Sequence, residues 1–190
     1  MRWNPHSNLA GQHAVLSASN NSWSNYDEDK MIRVFLNSLA AKRGTELHAL
    51  AHELIRLKVK LPRNNQTLNM YVNDMIGMRM RPEQVLFYSP LCFGTADAIG
   101  FDVKKMALKI ADLKTGEKEV HPRQLEIYAA FFCLEYGYKP FELTLIELRI
   151  YQNDEVRVYD AEPGDIVRLM DKIVRFDQVL SQIKAESEDN

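Results

Sequence analysis

Near residue 84 the spacing of apolar side chains changes, and no other feature of the sequence constrains the fold as strongly. Before that point apolar residues recur every three or four positions: Leu47, Leu50, Ala51, Leu54 and Leu57 share one side of a predicted helix. After it come short runs with strand character, Gln84 to Tyr88, Gly94 to Phe101 and Met106 to Leu113, the last two joined by a turn over Asp102 to Lys105. Helical spacing returns from Arg123 to Tyr136, with Leu125, Tyr128, Ala129 and Phe132 on one face. Leu143 to Tyr151 and Glu155 to Tyr159 read as a hairpin, and Gly164 to Lys184 as an amphipathic helix lined by Ile166, Leu169, Met170, Ile173, Leu180 and Ile183. Helices, three strands, a helix, two strands and a helix predict an α/β fold with a mixed central sheet flanked by helices.

Upstream, the Asn- and Ser-rich first 25 or so residues read as a loop leading into a helix over Asp27 to Arg43. Gly44 is expected to interrupt it, Thr45 to cap a second helix ending near Lys60 before Pro62, and a third to cover Thr67 to Met80. The 190 residues suit one domain, with a core over about 27–160 and a C-terminal helix over 164–184. No apolar run approaches the ~18 residues of a membrane span. No apolar stretch follows Met1 to His6, so no secretory leader is expected, and a reducing cytoplasm is the default compartment. Two cysteines, Cys92 and Cys133, cannot form a cysteine-only zinc or iron–sulfur site and make a disulfide scaffold an unsuitable reading.

Chemistry concentrates on two adjacent predicted strands. Asp97 lies in Gly94-Thr95-Ala96-Asp97, and Asp112 and Lys114 lie in Asp112-Leu113-Lys114-Thr115-Gly116. If the strands pair antiparallel, the two carboxylates approach one another, an oxygen-rich arrangement suited to Mg²⁺ or Mn²⁺. Side chains two apart on a strand share a face, so Lys114 follows Asp112 and places an ammonium where a phosphate could be polarised. A D-x-K triplet alone is an ordinary strand-end ion pair; its surroundings give it meaning.

Those surroundings are Gly94-x-x-Asp97, Asp112-x-Lys114 with Gly116, Gln124-x-x-x-Tyr128 on a helix, and an upstream Gly44-x-x-x-His48. Together, over roughly Leu16 to Tyr159, they resemble the RecB-like branch of the PD-(D/E)XK nuclease superfamily, which includes phage exonucleases and iron–sulfur exonucleases of CRISPR adaptation. The resemblance implies a restriction-endonuclease-like core and a metal-dependent deoxyribonuclease, more often an exonuclease. It implies His48, Asp97, Asp112 and the carbonyl of Leu113 as metal ligands, and Lys114 as the catalytic lysine. Gln124 and Tyr128 would hold that lysine or the DNA strand. The cysteine count implies no iron–sulfur cluster, and Ala96 stands where the superfamily name has proline, an absence common in this branch. DNA is the implied partner, with a homo-oligomer or a recombination/repair protein as further partners, and the host cytoplasm is the setting if the chain is phage-encoded. A non-catalytic DNA- or partner-binding protein, a structure-specific endonuclease and an RNA nuclease remain as alternatives.

Net charge is −2, so DNA binding must rest on local groups such as Lys58, Lys60, Arg63, Arg79, Arg81, Lys104, Lys105, Lys109 and Lys118, with an acidic tail from Glu186 to Asp189 opposing them. His48 and His52 have chelating spacing, but Ala49 stands where a zinc protease needs its glutamate. Glu53 is a fallback ligand. His121 reads as a turn residue, Trp3, Trp23 and Tyr26 as packing plugs or base-stacking groups, and Ser17 and Ser19 have no triad partners.

Overall fold

The computed structural model describes residues 7–9, 11, 14–116, 118 and 120–188. The chain divides into two compact units, Met1–Arg43 and Gly44–Asn190. In the first, the Trp23 indole N–H donates to the Ser17 carbonyl at 2.8 Å, and the side chain is half-buried. Trp3 and the end of the acidic tail, Asp189, lie outside the described residues. Helix α1 (Glu28–Leu57) begins where Asp27 Oδ1 accepts the Lys30 backbone N–H at 2.7 Å, a side-chain cap on an otherwise unpaired donor.

Helix α1 runs unbroken through Gly44, so the expected interruption there and the cap at Thr45 are corrected. Glycine inside a helix costs only ~1 kcal/mol relative to alanine, which continuous helical hydrogen bonding overrides. Its presence has a packing reason: a Cβ on Gly44 would stand 2.7 Å from Thr115 Oγ1.

In the second unit five strands form one sheet in the order β1 (Arg81–Ser89), β2 (Cys92–Asp102), β3 (Ala107–Leu113), β4 (Leu145–Gln152), β5 (Glu155–Asp160). All neighbours are antiparallel except β3 and β4, which run parallel and are joined through helix α3 (Arg123–Tyr136). Helix α2 (Thr67–Gly77) precedes β1, and helix α4 (Pro163–Glu188) follows β5. The expected fold class stands: α/β, with a mixed sheet flanked by helices, as a restriction-endonuclease-like core has. The third helix ends at Gly77 rather than Met80, because Met80 turns inward as a buried residue and β1 starts at once, earlier than Gln84. At the other end Pro140–Glu142 forms a 3₁₀ turn and β4 begins at Leu145, not Leu143.

Each sheet face buries its own core. On one, Leu86, Ala96, Leu108, Ile110, Leu148 and Ile150 pack with Leu125, Ala129 and Phe132 of α3 and Ile166 of α4. On the other, Ala98, Ala111, Leu113 and Tyr151 pack with Ala51 and Ile55 of α1 and with Tyr71, Val72 and Met75 of α2. Ala96 and Ala98 belong to different cores although residues two apart on a regular strand share a face. The alternation breaks at Asp97. On β1 the break falls at Glu83, a non-glycine residue at φ +49°, between the registered pairs Pro82–Ala98 and Gln84–Ala96. No helix among the described residues is long and apolar enough to cross a membrane.

Candidate functional site

The break in alternation aims Asp97 at helix α1. His48, one turn after Gly44, brings Nδ1 to 3.3 Å from Asp97 Oδ2. The same oxygen accepts the Leu113 backbone N–H at 2.9 Å, so the carboxylate is fixed from a helix and from the neighbouring strand. Leu113, implied as a carbonyl ligand, thus also orients Asp97 through its N–H, while its side chain is buried. Glu83 joins from β1: one ligand atom each from His48, Glu83 and Asp97 lie within 4.8 Å of one another. Glu83 was not singled out by sequence. It precedes the predicted strand, and only its left-handed backbone, strained for a side chain of this kind, turns it toward the site. That backbone leaves no sequence signal. Glu53, the fallback ligand, is instead paired with Arg56 at 2.7 Å, and His121 lies exposed before α3.

Asp112 sits across β2–β3 from Asp97, one residue beyond the registered pair Ala98–Ala111, and is buried. Its Oδ2 lies 3.0 Å from Lys114 Nζ. The contact is an ion pair without hydrogen-bond alignment, and this buried oxygen has no hydrogen-bond partner among the described residues. Burial, and then the charge of Asp97, push its pKa up, against the opposing pull of Lys114 and His48. The Lys114 ammonium donates to Gln124 Oε1 at 2.9 Å, and Gln124 Nε2 donates to Tyr128 Oη at 3.1 Å. This chain fixes the amide so that its carbonyl faces the lysine. Asp112, Lys114, Gln124 and Tyr128 therefore form one connected group, the contact between Gln124 and Lys114 being the one that the family resemblance implied.

Two glycines make room for it. A Cβ on Gly94 would stand 2.9 Å from Tyr128 Cε1, so glycine lets α3 lie close on β2. Gly44 does the same for the segment after β3, whose other side is held by buried Gln152, donating to the Lys118 carbonyl at 2.7 Å. Lys114 itself is tied to β4 through its backbone N–H to the Tyr151 carbonyl at 2.9 Å.

Electrostatically, Glu83, Asp97 and Asp112 gather beside one lysine. His48 has a raised pKa, first because of its hydrogen bond to Asp97 and further through the charges of Asp97, Asp112 and Glu83, with burial opposing. Even the phenol of Tyr71, buried beneath, is raised by burial and by the same three carboxylates. Three carboxylates, of which only Asp112 is buried, thus converge on one lysine and one imidazole, and such a concentration of negative charge favours a cation. The His48 imidazole with the Glu83 and Asp97 carboxylates suits a hard divalent cation, Mg²⁺ or Mn²⁺, with the imidazole nitrogen favouring Mn²⁺, while Asp112, outside that trio, is ion-paired with Lys114.

No protein-family profile, curated protein or solved structure matches the chain. What the residues can do must be argued from their chemistry. Cys133 is buried with its thiol pushed up to about 12 by desolvation, and Cys92 is half-buried, also raised by burial; among the described residues neither joins the His48, Glu83 and Asp97 trio as a fourth donor.

Proposed function

We propose that the chain is a divalent-metal-dependent deoxyribonuclease that hydrolyses DNA phosphodiester bonds in the cytoplasm, with exonuclease action following from the RecB-like resemblance. The observation that carries the reading is Lys114 held between Asp112 and Gln124, beside the His48–Glu83–Asp97 trio. A strand-end ion pair of no function needs neither the trio nor the orienting amide.

His48, Glu83, Asp97 and Asp112, with the Leu113 carbonyl, would hold the cation. When bound, the cation supplies Lewis-acid polarisation of the phosphodiester and lowers the pKa of the attacking water. Lys114 presents its ammonium to the phosphate, offsetting the negative charge that grows as water oxygen bonds to phosphorus and the ester P–O bond breaks. Gln124 holds Lys114 on that line, and Tyr128 holds Gln124. Leu113 N–H and His48 keep Asp97 from rotating away.

The test is a panel of linear and circular DNA, single- and double-stranded, incubated with Mg²⁺, Mn²⁺ or EDTA. Cleavage of linear DNA only, abolished by EDTA, is expected. Cleavage of circles selects an endonuclease. Binding without cleavage under any metal overturns the enzymatic reading.

A further inference from the structure

From the trio, β1 and β2 continue outward as a row of directly opposed, uncharged pairs: Val85 with Thr95, then Phe87 with Phe93. The alternation is regular here. Leu86, Ala96 and Gly94 face α3, so Val85, Thr95, Phe87 and Phe93 take the other face, the one toward which Asp97 turns. Phe87 and Phe93 are 46% and 59% exposed, with rings 6.5 Å apart and inclined by only 30°. Two large apolar rings left this open on one sheet face lose burial that either could have had by facing α3.

The edge of the sheet beside them is closed to another strand. The Phe87 backbone N–H donates to Glu135 Oε2 at 2.8 Å, and the Val85 carbonyl accepts from Gln84 Nε2 at 2.6 Å. Two of the outward backbone groups of β1 are thus already engaged by side chains, which disfavours strand addition and leaves the exposed rings as the contact surface. Phe93 stands four strand residues from Asp97, about 13 Å at ~3.3 Å per residue. An unpaired strand covers that span in about four nucleotides or fewer, because ~3.4 Å is the rise per nucleotide of a wound duplex and an unpaired backbone reaches further per step. Between the rings and the carboxylates no charged side chain of either strand intervenes to repel a polyanion.

We propose that Phe87 and Phe93 form a base-stacking platform for unpaired nucleotides whose backbone leads into the Asp97–Asp112–Lys114 site, so that the substrate is a single strand or a frayed end. The proposal rests on the nuclease reading above. Bases paired in a duplex hide their faces, whereas every unpaired base offers one, and aromatic side chains bind single strands through it.

The test uses binding in EDTA, where no hydrolysis occurs, with a 20-nucleotide single strand and the matching duplex. A fluorescent adenine analogue is placed two, three or four nucleotides from the end in separate strands. Wild type should quench the analogue and bind the single strand more tightly than the duplex. Phe87→Ala/Phe93→Ala should lose the quenching and about 10-fold or more of single-strand affinity, with duplex affinity unchanged. Both side chains are exposed, so the melting temperature of the variant checks that folding is retained, and Phe93→Ala alone gives a milder second probe. Equal single-strand binding by wild type and double variant, with cleavage intact, overturns the platform and leaves the nuclease reading standing. Absence of both DNA binding and cleavage overturns both. A variant that turns a dimer into a monomer in sedimentation, with DNA binding unchanged, makes the face a contact between copies of this chain and also overturns the platform.

Discussion

The two halves of the site are built from the same few strands yet are satisfied very differently. On the α3 side the polar groups form one hydrogen-bonded chain: Lys114 donates to Gln124, and Gln124 donates to Tyr128, in a line fixed by the close approach at Gly94. On the α1 side Glu83 is exposed, Asp97 and His48 share a single oxygen contact, and between the halves Asp112 keeps a buried oxygen without a hydrogen bond. A saturated chain holds one charge in one place. An under-compensated cluster stores affinity for a cation that arrives from outside. On the nuclease reading proposed above, the α3 half would position the phosphate and the α1 half would capture the ion.

The largest effect should come from the cation half. Asp97→Asn removes the carboxylate that His48 and Leu113 hold, and cleavage should fall to background, with Mn²⁺ binding lost in calorimetry. If Asp97→Asn binds Mn²⁺ as wild type does, the division between the halves is wrong. Next, Lys114→Ala should slow cleavage on the order of 10²–10³-fold, the scale of one preorganised electrostatic group, while Mn²⁺ still binds. Extra Mn²⁺ should not rescue it; rescue would mean the lysine serves the ion rather than the phosphate.

Packing changes give smaller effects and sharpen the contrast. Gly94→Ala sets a methyl group against the Tyr128 ring, which is held on a packed helix, and overpacking of this kind costs ~1–3 kcal/mol. Turnover should fall with little change in Mn²⁺ affinity, because the displaced ring belongs to the α3 half. Gly44→Ala meets only the hydroxyl of Thr115, a side chain that can rotate, and gains up to ~1 kcal/mol of helix preference. The two terms oppose, and thermal melting should move by no more than a few degrees.

The smallest effect concerns stability against pH. Burial raises the Asp112 pKa, so the folded chain binds that proton more tightly than the unfolded chain does. The contribution to stability is therefore full below the ordinary carboxylate pKa and is lost as pH rises through the raised value. Asp112→Asn should melt a few degrees above wild type at neutral pH in EDTA, at about 2–4 °C per kcal/mol for a chain of this size. Saturating Mn²⁺ should close the gap by stabilising wild type alone. A variant less stable than wild type in EDTA would show that Lys114 already compensates the buried charge.

Much of this arrangement was legible in the sequence, for a physical reason. Strand period 2 and helix period 3.6 carry Asp112, Lys114, Gln124 and Tyr128 to their places by local geometry, and α3 begins and ends where its spacing predicted. Asp97 was legible as a residue, whereas the break that aims it was not, because an irregularity opposite Glu83 is set by pairing across strands. Glu83 was invisible for the same reason. Gly44 was read through its backbone preference, as a helix breaker, when its use lies in a contact with Thr115 that is distant in sequence. Short-range rules recover what short-range forces decide.

The strand order β1-β2-β3-β4-β5 has one further consequence, for assembly. Glu83, Asp97, Asp112 and Lys114 all lie on or directly after a three-strand meander that needs only tight turns to form. The parallel pairing of β3 with β4 must wait for the chain to travel through α3, which closes a longer loop and is slower. The acidic cluster is thus drawn together by local contacts, and the segment bearing Gln124 and Tyr128 is the part whose docking completes it. A slow refolding phase should accordingly be felt at Tyr128 after Asp97 has already settled, and a divalent ion present from the start would steady the meander while the crossover is still loose.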